Sequence, residues 1–202
     1  MTARGRFLSI EGGEGVGKST QINALADMIR NHGHEVILTR EPGGTEGAEI
    51  IRQLLLGGSA ERWLPRAEAL LFAAARSDHV ERLIEPALAS GKWVIADRFI
   101  DSSRAYQGAG SGMSDDDIMT LHNIGSRGLL PDRTLVLRLD PKEAAQRAAA
   151  RERGAAGHHR LEHVVHQVFG QHRVVELALG KADQIAAVAH HLGPADGTHV
   201  GR

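Results

Sequence analysis

Gly12-Gly13-Glu14-Gly15-Val16-Gly17-Lys18-Ser19, followed by Thr20, fits the spacing G-x-x-x-x-G-K-[ST]. The chemistry behind this spacing is the binding of a polyphosphate. Glycines let backbone N–H groups close around several phosphate oxygens with no Cβ intruding. Lys18 brings a mobile positive charge to the terminal phosphates, and the Ser19 hydroxyl can ligate Mg²⁺. The helix that follows points its positive end at the same anion. A glycine-rich turn can match such a pattern by chance. Here the match follows a strand pattern and opens a helical one, as a phosphate cradle requires. No guanine-reading Asn-Lys-x-Asp segment occurs, so ATP is the expected nucleotide.

Four further segments carry chemistry: Thr39-Arg40-Glu41-Pro42-Gly43-Gly44-Thr45, Leu71-Phe72-Ala73-Ala74-Ala75-Arg76, Asp97-Arg98-Phe99, and Ser102-Ser103-Arg104-Ala105-Tyr106-Gln107-Gly108. Taken singly, each has an ordinary reading. An arginine after a strand is usually a solvated surface residue, and Phe72 at helical spacing is more often core than a base platform. Co-occurrence with the phosphate loop, in order and at strand ends, gives them a joint meaning.

The elements that must position these residues are legible from apolar patterning. Phe7-Leu8-Ser9-Ile10 reads as a strand, and Ile22, Leu25, Ala26 and Ile29 as one face of the next helix. Strands are predicted over Glu35–Thr39, Lys92–Ala96 and Arg133–Leu139. Helices are predicted over Thr45–Leu56, over Leu64–Ala89 with a kink or break near Pro86, from Ser114, and from Pro141 to about Arg153. The fold class is therefore α/β, a three-layer fold around a phosphate loop. Its central sheet is mostly parallel, with four clear strands and a fifth not evident, and helices cover both faces. Ligands of such sheets bind outside the carboxyl ends of the strands.

One domain suffices for 202 residues. A net charge of −1 argues against nucleic-acid binding by bulk electrostatics. There is no cysteine for a disulfide or a thiolate metal site. The stretch Met1–Glu11 meets a charge too early for a signal peptide, and no apolar run approaches a membrane span. The expectation is a cytoplasmic protein without membrane or nucleic-acid partners. After Gly154 the composition shifts: eight of the twelve histidines lie there, and no clear strand pattern is found, which leaves the fifth strand open. His159, His163 and His166 fall at helical spacing, but no carboxylate or cysteine completes a metal set.

Together, Glu11-Gly12-x-Glu14-Gly15-x-Gly17-Lys18-Ser19-Thr20, the Thr39–Thr45 run, Phe72-x-Ala74-x-Arg76, Asp97-Arg98-Phe99 and Ala105-Tyr106-Gln107-Gly108 resemble bacterial thymidylate kinases, over about residues 5–153. The resemblance implies the phosphate-loop kinase version of the three-layer fold, phosphorylation of dTMP to dTDP by ATP with Mg²⁺, and a homodimer. It implies that Phe72 stacks on thymine and that Arg76 donates to a thymine carbonyl. Ser103 and Gln107 would read the base edge, and Tyr106 would lie against the deoxyribose. Arg40 and Arg98 would hold the acceptor phosphate, Asp97 would organise Mg²⁺ through water, and Glu14 would accept from the 3′-hydroxyl.

A lid is expected at about 141–160, with Arg147, Arg151 and Arg153 in it. Because the phosphate loop lacks an arginine, Arg151 or Arg153 is the choice to reach the transferring phosphate. The sequence departs from the family after the lid: His159-Arg160-Leu161-Glu162 keeps Arg and Glu of the usual D-R-x-E, with His for Asp, and 161–202 diverges. Two alternatives stay open: a deoxynucleoside kinase of the same fold with a hydroxyl acceptor, and an ATP-binding switch without fast transfer.

Overall fold

A computed structural model describes residues 3–59 and 62–139, together with the backbone of 174–178. β1 (Phe7–Glu11) alternates strictly: Leu8 and Ile10 enter one core cluster and Phe7 the other. β3 (Trp93–Asp97) does the same, with Trp93 and Ile95 on the first face and Val94 and Ala96 on the second. A strand whose every residue is buried must have both faces of its sheet covered. α1 (Lys18–Asn31) covers one face through Ile22, Leu25, Ala26 and Ile29. On the other lie α3 (Pro65–His79), α4 (Glu85–Ala89) and α6 (Asp115–Ser126), through Ala69, Leu88 and Ile118.

The sheet is parallel throughout, in the order β2-β3-β1-β4-β5, where β2 is Val36–Arg40, β4 is Arg133–Arg138 and β5 is Val174–Ala178. The chain leaves β1 for β2, returns to place β3 between them, then crosses to β4 on the other side of β1. The β1 and β3 ends therefore flank the switch point, where a crevice opens. Ile10 pairs with Asp97, and Arg40 pairs with Asp97 from the other neighbour, so the three chemistry-bearing ends lie level.

The structure completes two points that the sequence left open. A fifth strand exists: Val174–Ala178 pairs with Thr134–Arg138. Its short run is interrupted by Glu176, so pairing with a buried neighbour defines it more than its own pattern does. The helical stretch Leu64–Ala89, expected to kink or break near Pro86, is divided there by a π-helical turn at Val80–Ile84 between α3 and α4. Pro86 has no N–H for the Arg82 carbonyl, and the widened turn absorbs that loss. α2 (Glu46–Leu56) and the short α5 (Ile100–Ser103) complete the set, the latter running into a second π-helical turn, Arg104–Ala109. The lid and the helix expected from Pro141 to Arg153 lie outside the described residues.

Candidate active site

From Glu11 the chain turns through Gly12 at φ 142°. A Cβ here would lie 2.7 Å from the Leu137 carbonyl oxygen, so only glycine can pass this close to β4. Gly17, in the left-handed region, is the N-cap of α1, and no side chain caps that helix. The first N–H groups of α1 are thus left to an anion. Other helices differ: Thr45 accepts from the Ala48 N–H at α2, and Ser114 from the Asp117 N–H at α6. Lys18 Nζ donates to the carbonyls of Gly12 (3.0 Å) and Gly13 (2.9 Å). Burial, and then the neighbouring Arg98 charge, lower the Lys18 pKa to about 8. Glu14, Ser19 and Thr20 are exposed, whereas the Val16 side chain is core.

Opposite the loop, β3 ends at Asp97 and the chain turns on Arg98, whose φ of 73° is unusual for a residue with a Cβ. Such a turn persists only where its surroundings hold it. Here Arg98 N–H donates to the Ile10 carbonyl at 3.0 Å. Its guanidinium lies 5.3 Å above the Tyr106 ring, and Nη1 donates to Ser102 Oγ at 3.2 Å. Beneath the turn is Glu11, accepting from the Phe99 N–H (2.8 Å) and from the Ser102 hydroxyl (2.6 Å). Burial, followed by the Asp101 charge, raises the Glu11 pKa to about 7. Asp97 Oδ1 is buried without a hydrogen-bond partner among the described residues. A buried carboxylate oxygen left open, close enough to Lys18 for its charge to act there, fits a hard cation such as Mg²⁺.

At the end of β2, the Glu41–Pro42 bond is cis. Glu41 is buried and pairs through Oε2 with Arg76 Nε at 2.7 Å. Arg76 is only 3% exposed. It donates from Nη2 to Ser103 Oγ (2.7 Å) and lies over the Phe99 ring at 5.3 Å. Phe72, one turn earlier on α3, is half-buried and belongs to neither core cluster. Gln107 is buried, its amide donating to Glu68 Oε1 at 2.9 Å. Arg40 is exposed and paired with Glu49 at 2.9 Å.

The structure thus brings Lys18, Asp97 and Arg98 within reach of one another's charges, pairs Arg40 in register with Asp97, and bonds Arg76 to Ser103, while Gln107 is held by Glu68. Arg151 and Arg153 lie outside the described residues. Three residues had no assigned role in the sequence. Arg52 donates from Nη1 to the Pro42 carbonyl at 2.6 Å, and burial with the Arg40 charge lowers its pKa. Glu11 could have been noticed as an acid ending an otherwise apolar strand. His79, three residues after Arg76, gave no signal of its own.

A phosphate loop at the switch point of a parallel sheet, facing clustered guanidinium groups, defines a phosphate-loop nucleotide kinase. The thymidylate kinase family profile matches residues 10–187. A thymidylate kinase of Rhizorhabdus wittichii is 60% identical over 158 residues, covering 78% of this chain and 75% of the relative. That of Caulobacter vibrioides is 52% identical over 165 residues, covering 78% and 79%. The crystal structure of thymidylate kinase from Ehrlichia chaffeensis superimposes with a TM-score of 0.70 at 30% identity, covering 94% of this chain and 99% of that one. The chain belongs to the thymidylate kinase family.

Proposed function

We infer that this chain transfers the terminal phosphoryl group of ATP to dTMP, giving dTDP on the route to dTTP. The observation that carries the reading is the facing pair at the switch point. Lys18 and Arg98 arise from opposite sides of one crevice, close enough for the Arg98 charge to depress the Lys18 pKa.

An acceptor phosphate is already ionised near neutrality, so no general base is required. The barrier comes from bringing two anions together and stabilising charge spread over the moving group. The loop amides, the α1 N-terminus and Lys18 hold the donor phosphates in line. Arg98, Arg40 and Arg52 draw the acceptor phosphate to the same line, where planar guanidinium donors match its oxygens. Phe72 offers a half-buried ring for the base, with Arg76, Ser103 and Gln107 at its polar edge. Tyr106, under Arg98, borders the sugar, and Glu14 receives its 3′-hydroxyl. Ser19 and, through water, Asp97 would hold Mg²⁺, which supplies charge neutralisation at the phosphates. A lid arginine, Arg151 or Arg153, completes the surround, since the loop has none.

Ile50, Leu64, Leu70 and Ile124 are each more than half exposed, at or near α2, α3 and α6. This apolar surface supports a homodimer through those helices. Among the described residues no helix is long and apolar enough to cross a membrane; a cytoplasmic location is part of the proposal.

The decisive experiment is ADP release with dTMP, dUMP, dCMP and thymidine in turn. Fastest release with dTMP supports the reading. Release with thymidine alone would move the chain to the deoxynucleoside kinases, and release independent of any acceptor would make it an ATP-driven switch.

A further inference from the structure

Behind the acceptor site runs a series of buried and partly buried contacts that phosphoryl transfer does not use. Thr39 Oγ1 lies 2.7 Å from His79 Nε2, and His79 Nδ1 lies 3.1 Å from Glu41 Oε1. Hydroxyl, imidazole and carboxylate in this order resemble a nucleophile with its base and orienting acid. Three observations exclude that role here. The second Glu41 oxygen is held by Arg76. The backbone of Gly44 also covers the hydroxyl end: a Cβ there would stand 2.5 Å from Thr39 Oγ1 and 2.6 Å from His79 Nε2. With His79 fully buried as well, no electrophile reaches the pair.

We propose that Thr39, His79 and Glu41 form a positioning relay that fixes the direction of Arg76 and so sets discrimination between thymine and cytosine. The proposal rests on the reading that Arg76 faces the acceptor base. A carboxylate paired with a guanidinium only accepts, so His79 Nδ1 donates to Glu41, and the other ring nitrogen meets the Thr39 hydroxyl. The imidazole therefore ties the end of β2 to α3. It also occupies the Glu41 oxygen that Arg76 leaves free, so the carboxylate cannot rotate. Arg76 is then held at two nitrogens, Nε by Glu41 and Nη2 by Ser103. Because the guanidinium is planar, fixing two of its nitrogens fixes the third. Nη1 has no hydrogen bond among the described residues, which leaves a donor with a preset direction. The 4-position of thymine is a carbonyl acceptor, whereas that of cytosine is an amino donor. A rigid donor accepts the first and opposes the second, while a swinging one distinguishes them poorly.

The test compares H79L, which removes both contacts, with H79N, which restores a donor on Cγ toward Glu41, and T39V, which removes only the hydroxyl. Each is assayed for kcat and KM with dTMP, dCMP and ATP. H79L is expected to raise the dTMP KM about tenfold, the loss of one buried hydrogen bond. It should narrow the dTMP-over-dCMP ratio of kcat/KM by a similar factor, with kcat and the ATP KM within about twofold. H79N should recover most of the discrimination. T39V should move the same parameters in the same direction, by less, and keeps the test alive should H79L not fold. Unchanged discrimination in both H79L and T39V, or a joint fall in kcat and rise in both KM values, overturns the relay. R76K separates the two levels of the argument. If R76K leaves the dTMP KM unchanged, the base-reading role of Arg76 fails; if R76K raises it while H79L does not, the relay alone fails.

Discussion

On the donor side of the crevice the groups that face the nucleotide belong to the backbone. The α1 N-terminus has no side-chain cap, Gly12 is shaped by its approach to β4, and Lys18 bonds only to carbonyls of its own loop. Across the crevice, position is set by side chains holding side chains: Glu41 by Arg76 and His79, Arg76 by Ser103, and Ser102 by Glu11. A backbone cradle depends on the absence of Cβ atoms and tolerates change in the side chains around it. An ionic network depends on every partner being present, because an unpaired buried charge is far more costly than a missing contact. Function and stability should therefore separate on the donor side and move together on the acceptor side.

The largest expected effect tests the donor half. Lys18→Ala should lower kcat by roughly 10³ or more, the scale for removing a preorganised group that stabilises developing charge. Its melting temperature should stay close to that of the parent, since Nζ supports no residue beyond the loop. A melting temperature lowered as strongly as turnover would erase the contrast. On the acceptor half, Glu41→Ala leaves a buried guanidinium and a buried imidazole without their shared partner. It should destabilise the fold by about 3–5 kcal/mol, measured by urea denaturation, and weaken dTMP binding as well. Stability within error of the parent would mean the network is ornamental.

The same contrast explains what could be read from the sequence. Glycines at fixed spacing before Lys18 state a backbone geometry directly, so the loop, its strand and its helix were legible together. Arg40, Arg98 and Arg76 were legible as types at strand ends and on one helix face. Their partners were not, because His79 and Glu41 are 38 residues apart and Glu11 and Phe99 are 88 apart. No local pattern records such meetings. The pairing of Val174–Ala178 with β4 was hidden for the same reason, since it answers a neighbour rather than its own sequence, whereas the break before Pro86 was legible because proline states it locally.

Glu11 gives a smaller effect with a definite sign. Its pKa rises from an ordinary 4.5 to about 7, burial and then Asp101 outweighing Ser102, Arg98 and the Phe99 N–H. Between those values the folded chain holds a proton that the unfolded chain has released, so this group makes stability fall as pH rises through the window. The full spread corresponds to on the order of 3 kcal/mol. Glu11→Gln removes the titration and can still accept the Phe99 N–H. Subtracting its stability from that of the parent at pH 5 and at pH 7 should give a difference that shifts against the parent at pH 7. A difference that is the same at both pH values would show that Glu11 is ionised throughout.

The smallest effect lies at the rim, where Arg40 and Glu49 form an ion pair with side chains 55% and 37% exposed. Exposed pairs contribute about 0–1 kcal/mol, because water and salt already stabilise the separated charges. Glu49 also accepts the Gly44 N–H at 2.9 Å, the first cause of its lowered pKa. Glu49→Gln keeps an acceptor for that N–H while removing the charge. It should change unfolding stability by less than about 1 kcal/mol, and by less still in high salt. Freed from its carboxylate, Arg40 would be more available to the acceptor phosphate proposed for it, so the dTMP KM should fall modestly rather than rise. A stability loss well above that range, insensitive to salt, would place Glu49 among the buried partners and move the boundary between the two kinds of construction out to the rim.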